Sequence, residues 1–374
     1  MPKTSVSRRK FFGQVAAGSA GIAAASLAKP AAGAEAAAPF PLTMELYPLM
    51  EPGKDSDLAH VKIVTREGFR DSVRDKVRSF SPNVELKVCD GNEEFRREVA
   101  DAQVIYGDFS QQDLVAAKSL RWIQYTAAGV EHILWPELVE SPIVLTNMQK
   151  MYSPAISETV IGLLLTLTRG LNQYALDTRE RRWKPLDHLR EISGMTMGLV
   201  GLGGIGTDTA YRAHYGFHMK ILAVDPKPLP RPAFVAELHS LDWLPQMLPQ
   251  VDVLVSAAPH TKVSEGMLNE SVFRALKPTA YFINVSRGKL VHTPALVRAL
   301  QDGWITGAGL DVTDPEPLPS DHPLWTAGNV IITSHSSARS PGSGQRAEDL
   351  FCENVRRYVA GLPLLNVVDK KRGY

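Results

Sequence analysis

The sequence contains little cysteine and carries almost no net charge. Cys89 and Cys352 are the only two cysteines among 374 residues, and they lie far apart in the chain. They could pair in an oxidising compartment, but two separate buried thiols are the favoured interpretation. The formal net charge is +1. The sequence therefore has no basic surplus that would indicate a nucleic acid partner. It also has no acidic tail that would indicate a solvating role.

Metal motifs and long hydrophobic runs are also scarce. The sequence has no CxxC pair and no His/Cys cluster, so we expect no bound metal. Its one membrane-like stretch, residues 11–28, is weakly apolar and rich in alanine and glycine. Because these two residue types partition poorly into lipid, a cleaved leader is favoured over a permanent anchor.

The first 34 residues have the organisation of an export signal. A basic segment that includes the arginine pair of SRRKFF, at 7–12, precedes the apolar stretch, and Ala-Gly-Ala at 32–34 supplies a small-residue cleavage site. SRRKFF resembles the twin-arginine signal of bacterial export. A transit peptide is the alternative, since residues 1–34 contain no acid. We expect a twin-arginine signal over 1–34, a linker over 35–59, and a periplasmic protein that meets the membrane only during export. If the leader is not used, the protein is cytoplasmic.

From His60 onward, short apolar runs alternate with amphipathic stretches. The first set of predicted strands covers 61–65, 84–89, 103–107, 121–126 and 143–147. A second and more apolar set covers 196–203, 220–225, 252–259, 280–286, 306–312 and 329–334. Alternating strands and helices indicate βαβ units, and continuous apolar strands are typical of a sheet covered on both faces. We therefore expect an α/β fold with parallel sheets.

Two longer helices are predicted as well. The apolar stretch 153–183 predicts one helix buried between two domains, with Ser153 as its N-cap and Pro154 at its first position. The amphipathic stretch 344–361 predicts a final helix.

A glycine-rich motif between a strand and a helix predicts a dinucleotide site. Gly201-Leu202-Gly203-Gly204-Ile205-Gly206 is a GxGxxG sequence that follows a predicted strand and begins a helix. Its glycines permit a tight turn, a close approach to a pyrophosphate and close helix–strand packing, and the helix N-terminus attracts the negative charge. A tight turn without ligand is the alternative. The leader also favours a cofactor, because twin-arginine leaders are used for proteins that fold before export, often around one.

The residue at the end of the next strand bears on the choice of dinucleotide. Asp225 occupies this position, where a carboxylate accepts hydrogen bonds from the adenosine ribose and repels a 2′-phosphate. The sequence therefore favours NAD over NADP as cofactor. Lys227 and Arg231 lie close by and could weaken this preference. Alternatively, Asp225 only forms a turn before Pro226.

Three polar residues follow apolar strands of the second set. Arg287, Glu316 and His335 lie at or beyond strand carboxyl ends, the edge at which open α/β sheets bind ligands. Taken singly, each has a structural alternative: a strand end, a solvated loop residue and a half-buried histidine.

Several longer motifs are similar to one enzyme family. YTAAGVEHI, GLVGLGGIG, LKPTAYFINVSRG, DVTDPEPLP, HPLW and LPLLNVVDKKRGY occur in the order seen in the D-isomer-specific 2-hydroxyacid dehydrogenases, and the resemblance runs from about residue 60 to 374. It implies two Rossmann-like or flavodoxin-like domains, the cofactor domain (151–339) being inserted into the substrate domain (60–150 and 340–374). It also implies a homodimer.

The resemblance further implies a catalytic triad of Arg287, Glu316 and His335. Histidine suits proton transfer to a carbonyl oxygen near neutral pH, and a neighbouring carboxylate stabilises its imidazolium. Arginine can bind a substrate carboxylate through two hydrogen bonds. The expected reaction interconverts a small 2-oxo acid and a D-2-hydroxy acid by hydride transfer with the dinucleotide. A dinucleotide-sensing binding protein without turnover is the alternative, and the sequence does not identify the 2-oxo acid.

The family resemblance adds five further site residues. Ala128 and Gly129 are expected to bind the substrate carboxylate through backbone N–H groups, together with Arg287 and His335. Asp311 is expected near the nicotinamide amide, with Val285, Ser286 and Arg287 along the same cofactor wall.

The sequence departs from the family at two positions. Ser334 replaces the usual proline before the histidine, which loosens the backbone there. His292 stands where an aspartate is common and adds a titratable group of unassigned role.

Overall fold

The computed structural model describes residues 60–374, which contain two parallel β-sheets joined by helices. The expected signal (1–34) and linker (35–59) lie outside the described residues. The expected fold class, α/β with two parallel-sheet domains of Rossmann-like type, is confirmed.

The first sheet has five strands in the order β2-β1-β3-β4-β5, the order of flavodoxin-like folds. Its elements are β1 (Val61–Thr65), α1 (Asp71–Phe80), β2 (Val84–Val88), α2 (Asn92–Glu98), β3 (Val104–Tyr106), α3 (Gln111–Ala116), β4 (Trp122–Gln124), α4 (Pro136–Val139) and β5 (Val144–Thr146). All five strand positions agree with the sequence prediction. Most are shorter than predicted, because the flanking residues enter the loops at the strand ends.

The long helix predicted over 153–183 is instead two helices, α5 (Ser153–Thr168) and α6 (Leu171–Arg179). The chain breaks at Gly170, whose φ of +60° is left-handed. Hydrophobic spacing continues across this glycine, so the periodicity hides the break. Ser153 is not the N-cap, because it is already helical and Tyr152 precedes the helix. Helix α5 packs against the second sheet, where Leu163 contacts Gly309.

The second sheet has seven strands in the order β12-β11-β10-β9-β6-β7-β8. Its elements are β6 (Thr196–Val200), α7 (Gly204–Phe217), β7 (Lys220–Val224), β8 (Glu237–His239), α8 (Leu244–Met247), β9 (Val253–Ser256), α9 (Glu270–Ala275), β10 (Tyr281–Asn284), α10 (Thr293–Gln301), β11 (Gly307–Leu310) and β12 (Val330–Ile332). The sequence prediction missed β8, a three-residue edge strand with two charged or polar members and no apolar run.

The last helix, α11 (Pro341–Val359), returns to the first sheet. Phe351 stacks on Phe69 with ring centroids 5.2 Å apart, and the Asn354 amide donates to Gln124 of β4 at 2.8 Å. The C-terminal helix therefore completes the core around β1, β3 and β4, although it follows the second sheet in sequence.

Both thiols are buried and unpaired, as the sequence favoured. Cys89 and Cys352 belong to different apolar clusters, and burial raises the pKa of each thiol. Within residues 60–374, no helix combines the length and apolarity needed to cross a membrane. The same span contains no group of three or more histidine, cysteine or acidic side chains placed to hold a metal ion.

Candidate active site

The glycine-rich loop connects β6 to α7 at the carboxyl edge of the second sheet. Gly201 has a φ of +97°, and a Cβ there would lie 2.9 Å from the backbone of Ala257. A Cβ on Gly206 would lie 2.1 Å from the Gly201 carbonyl oxygen. Only glycine therefore fits at these two positions, as the motif predicts.

The same loop offers the features that a dinucleotide requires. A Cβ on Gly203 would meet no atom within 4 Å, so this glycine borders open space in front of the N-terminus of α7. Gly204 packs tightly, since its Cβ would lie 2.7 Å from Ser153 Oγ. That hydroxyl is buried and has no hydrogen-bond partner. Ile205 is partly buried against the core of the second sheet. An open cradle and an orphaned hydroxyl beside it fit a bound pyrophosphate.

Asp225 joins the glycine-rich loop to the segment after β7. Its Oδ2 accepts the Leu202 N–H at 2.8 Å, and its Oδ1 accepts the Lys227 N–H at the same distance. The carboxylate is thus held at the end of the strand, where the ribose was expected. Arg231 instead donates to the carbonyls of Val235 and Ala236 in its own loop.

Arg287 lies against the loop that contains Gly129. Its Nε donates to Glu131 at 2.6 Å, and its Nη1 donates to the Ser286 carbonyl at 2.8 Å. A Cβ on Gly129 would lie 1.7 Å from Arg287 Nη2. The structure therefore brings together the predicted arginine and the predicted substrate loop from two different sheets.

Glu131 is a site residue that the sequence reasoning missed. Burial alone would raise its pKa, but the Arg287 guanidinium outweighs burial and lowers it. The carboxylate therefore stays ionised and orients the arginine. Its position two residues after Gly129, within the same motif, was the available signal.

The substrate loop is fixed from behind by β5 and the residues that follow it. The Asn147 amide donates to the Ala128 carbonyl at 2.6 Å, and the Met148 N–H donates to the Ala127 carbonyl at 3.0 Å. These two hydrogen bonds fix the backbone carbonyls of the two residues that precede Gly129.

His335 and Glu316 form a hydrogen-bonded pair. The imidazole Nδ1 lies 2.8 Å from Glu316 Oε1, and the two side chains are 45% and 39% exposed. His335 has a left-handed φ of +50°, and its N–H donates to the Asp311 carbonyl at 2.8 Å. The pairing of Nδ1 leaves Nε2 as the nitrogen available to a substrate.

The buried carboxylate of Asp311 organises the segment that bears His335. It accepts hydrogen bonds from the Thr333 hydroxyl at 2.6 Å, from the Ser336 N–H at 3.0 Å, and from the N–H and hydroxyl of Ser337. Burial by itself would raise the pKa of Asp311, but these hydrogen bonds lower it. Asp311 thus fixes the residues on both sides of His335.

Two further contacts connect the segments of Arg287 and Glu316. A Cβ on Gly288 would lie 1.9 Å from the Thr313 carbonyl oxygen, and the Thr293 hydroxyl donates to the Asp314 carbonyl at 2.9 Å. The loop after β10 is therefore packed directly against the segment that leads to Glu316.

The two residues before Arg287 are buried. Val285 is 4% exposed and belongs to the apolar core, so its backbone rather than its side chain could line a cofactor site. The Ser286 hydroxyl lies 2.7 Å from Ser256 Oγ and 2.9 Å from Asn284 Oδ1. The Asn284 amide in turn donates to the Arg287 carbonyl at 3.1 Å.

The two family departures lie at the surface. Ser334 is exposed, directly before His335. His292 is exposed at the start of α10 and makes no side-chain capping hydrogen bond.

Comparison with known proteins finds one enzyme family. The family model described as D-isomer specific 2-hydroxyacid dehydrogenase, NAD binding domain, matches residues 161–337. Glyoxylate reductase from Thermofilum pendens is 36% identical over 251 residues, which are 66% of this chain and 74% of that protein.

Solved structures agree with this result. A D-isomer specific 2-hydroxyacid dehydrogenase family protein from Aeromonas salmonicida subsp. salmonicida A449 aligns with 83% of this chain and 99% of its own, with a TM-score of 0.73 and 30% identity. NADPH-dependent glyoxylate/hydroxypyruvate reductase from Sinorhizobium meliloti, solved with NADP and sulfate, aligns with 84% of this chain and 100% of its own, with a TM-score of 0.72 and 25% identity.

Proposed function

Because the chain belongs to the D-isomer-specific 2-hydroxyacid dehydrogenase family and is an NAD(P)-dependent oxidoreductase of 2-oxo and 2-hydroxy acids, we propose that it reduces glyoxylate to glycolate or hydroxypyruvate to D-glycerate. Its catalytic residues in this proposal are His335, Glu316 and Arg287. The observation that carries the proposal is the His335–Glu316 pair, 2.8 Å apart at the carboxyl edge of the second sheet. The substrate class follows from the names of the relatives from Thermofilum and Sinorhizobium.

Each catalytic residue has a defined task in reduction. A bound nicotinamide cofactor supplies the hydride to the carbonyl carbon. His335 donates a proton from Nε2 to the carbonyl oxygen, and Glu316 stabilises the imidazolium through Nδ1 before that transfer. Arg287 binds the substrate carboxylate through the guanidinium N–H groups that Glu131 and the Ser286 carbonyl leave available, and the backbone of Ala128 and Gly129 lies beside the same carboxylate. The reverse reaction uses His335 as base.

The function is tested by steady-state oxidation of NADH and NADPH with glyoxylate, hydroxypyruvate, pyruvate and one bulky 2-oxo acid. We expect turnover with the first two. His335→Ala should lower kcat by about 100- to 10,000-fold, the usual contribution of acid–base catalysis, while NADH still binds. His60→Ala is the matched control, because His60 also faces a glutamate, at 3.1 Å, and has no role in the proposed site. Near-normal turnover in His335→Ala would contradict the assignment. Dinucleotide binding with no turnover of any acid would favour the sensing alternative.

We propose NADH as the preferred dinucleotide. The support is Asp225, because its carboxylate would repel the 2′-phosphate of NADPH. The NADPH dependence stated for the Sinorhizobium enzyme makes the opposite preference the alternative. The ratio of kcat/KM for NADH and NADPH decides between them.

We also propose a homodimer with an inserted cofactor domain. The division into 60–150 with 340–374, and 151–339, is supported by the separate cores of the two sheets and by the return of α11 to the first. The dimer follows from family resemblance, and sedimentation velocity of the purified chain tests it.

Export is the last part of the proposal. The twin-arginine-like leader supports a periplasmic protein that folds around its dinucleotide before it crosses the membrane. We infer that the cofactor is retained and cycled between two substrates. Cell fractionation with N-terminal sequencing tests the compartment: an uncleaved cytoplasmic chain would contradict export, and a periplasmic chain without dinucleotide would contradict retention.

A further inference from the structure

The C-terminal turn extends from the first sheet to the cofactor edge of the second. The tail begins beside β5, where Val367 forms an antiparallel β-bridge with Thr146 of that strand. The Asp369 carboxylate then accepts hydrogen bonds from the backbone N–H groups of Lys371 and Arg372, both at 3.0 Å. The backbone carbonyl of Asp369 accepts the Gly373 N–H at 2.8 Å. These bonds give the last six residues a defined turn that ends at Tyr374.

This turn contacts one segment of the second sheet and lies near another. The Tyr374 ring centroid lies 4.5 Å from Lys227 Nζ. A Cβ on Gly373 would lie 3.9 Å from Thr261 Cγ2. Lys227 follows β7 and Thr261 follows β9, and these strands flank β6, whose carboxyl end carries the glycine-rich loop. The C-terminal turn therefore contacts the segment on one side of the expected dinucleotide site and lies near the segment on the other side.

Lys227 lies two residues after Asp225, next to the expected ribose site. Its backbone N–H is fixed to Asp225 at 2.8 Å, so its side chain starts close to the point where the ribose is expected, while its ammonium group lies against the Tyr374 ring. A 2′-phosphate there would attract the ammonium group. The tyrosine ring attracts the same ammonium through its π face. The Tyr374 ring and a 2′-phosphate would therefore compete for the Lys227 ammonium group.

We propose that Tyr374 is a cofactor-specificity residue, which holds the Lys227 ammonium away from a 2′-phosphate and so favours NADH over NADPH. The inference rests on the proposed dinucleotide site and extends it to a residue at the far end of the chain. Tyr374 acts through Lys227 and touches no reacting atom.

The experiment is a pair of binding titrations on the full chain without substrate, one with NADH and one with NADPH. Nicotinamide fluorescence measures the binding. Tyr374→Ala should raise the affinity for NADPH relative to NADH by about two- to five-fold, the range for a cation–π contact that water still reaches. Tyr374→Leu should behave alike, since it keeps apolar bulk but no ring. Tyr374→Phe is the matched control and should retain the wild-type ratio.

Adding Lys227→Met to Tyr374→Ala should abolish the gain, because the cation is then absent. An unchanged ratio in both Tyr374→Ala and Tyr374→Leu, or a shift toward NADH, overturns the inference while the cofactor site stands. Wild-type protein that binds neither dinucleotide overturns the cofactor site and the inference with it.

Discussion

Gly129 and Arg287 leave no room for a side chain between them. A Cβ at residue 129 would lie 1.7 Å from Arg287 Nη2 and 2.8 Å from its Cζ. The loop after β4 and the loop after β10 thus meet at a guanidinium, and a side chain at residue 129 would have to displace it.

Gly129→Ala should therefore displace the guanidinium and reduce kcat/KM for the 2-oxo acid by about 100-fold, the usual effect of a misplacement of about 1 Å. The dinucleotide affinity should not change. Gly68→Ala is the control, since its Cβ would meet no atom within 4 Å. Steady-state kinetics on both variants measure the effect, and equal kinetics would refute the steric argument.

Arg287→Lys tests the planar fork. Lysine keeps the charge but loses the paired N–H groups and the contact to Glu131. We expect KM for the 2-oxo acid to rise about 10- to 100-fold, the equivalent of one charge-assisted hydrogen bond of about 1.5–3 kcal/mol. Unchanged KM, measured with saturating NADH, would remove Arg287 from substrate binding.

Glu316→Gln separates proton transfer from binding. The amide can still bond His335 Nδ1 but cannot stabilise a positive imidazole. We expect kcat to fall about 100-fold with little change in NADH affinity. Glu85→Gln, at the carboxylate that faces His60, is the control. A variant with normal kcat would show that the pair at 2.8 Å is structural.

Asp311→Asn should destabilise the protein at neutral pH by about 2 kcal/mol, because an amide nitrogen would face donors that now meet a carboxylate. The folded-state pKa of Asp311 is lowered, so its contribution is complete above its unfolded-state pKa and declines as the pH falls below about 4. Denaturant melts at pH 7 and below pH 4 measure this: the difference between wild type and variant should shrink in acid. A difference independent of pH would contradict the assigned role of the charge.

Asp225→Ala removes the carboxylate that holds Leu202 and Lys227. Because the substitution removes the proposed ribose contact and also loosens the glycine-rich loop, affinity for both dinucleotides should fall, more for NADH than for NADPH. Fluorescence titration gives the two affinities. An unchanged ratio would count against the ribose contact.

The fold class, all the strands but one and the glycine-rich loop could be predicted from the sequence, because each depends on a local pattern. Apolar runs of strand length give β1 to β7 and β9 to β12, and a GxGxxG sequence between strand and helix predicts a turn in which Gly201 takes a positive φ. Family motifs singled out Arg287, Glu316 and His335 in the same way. The sequence did not predict the helix break at Gly170, because the helical spacing of apolar residues continues across it. It did not predict the short edge strand β8 either, because that strand has no apolar run.

What the sequence alone determined is thus the set of local elements and the chemical types at strand ends. The tertiary structure decided the partners: Glu131 with Arg287, Asp311 with the backbone around His335, and Tyr374 with Lys227. These residues are separated along the chain by up to 156 positions, and no local pattern encodes contacts at such separations. They form only when the parallel strands align their carboxyl ends at one edge and the C-terminal segment returns to pack against both sheets.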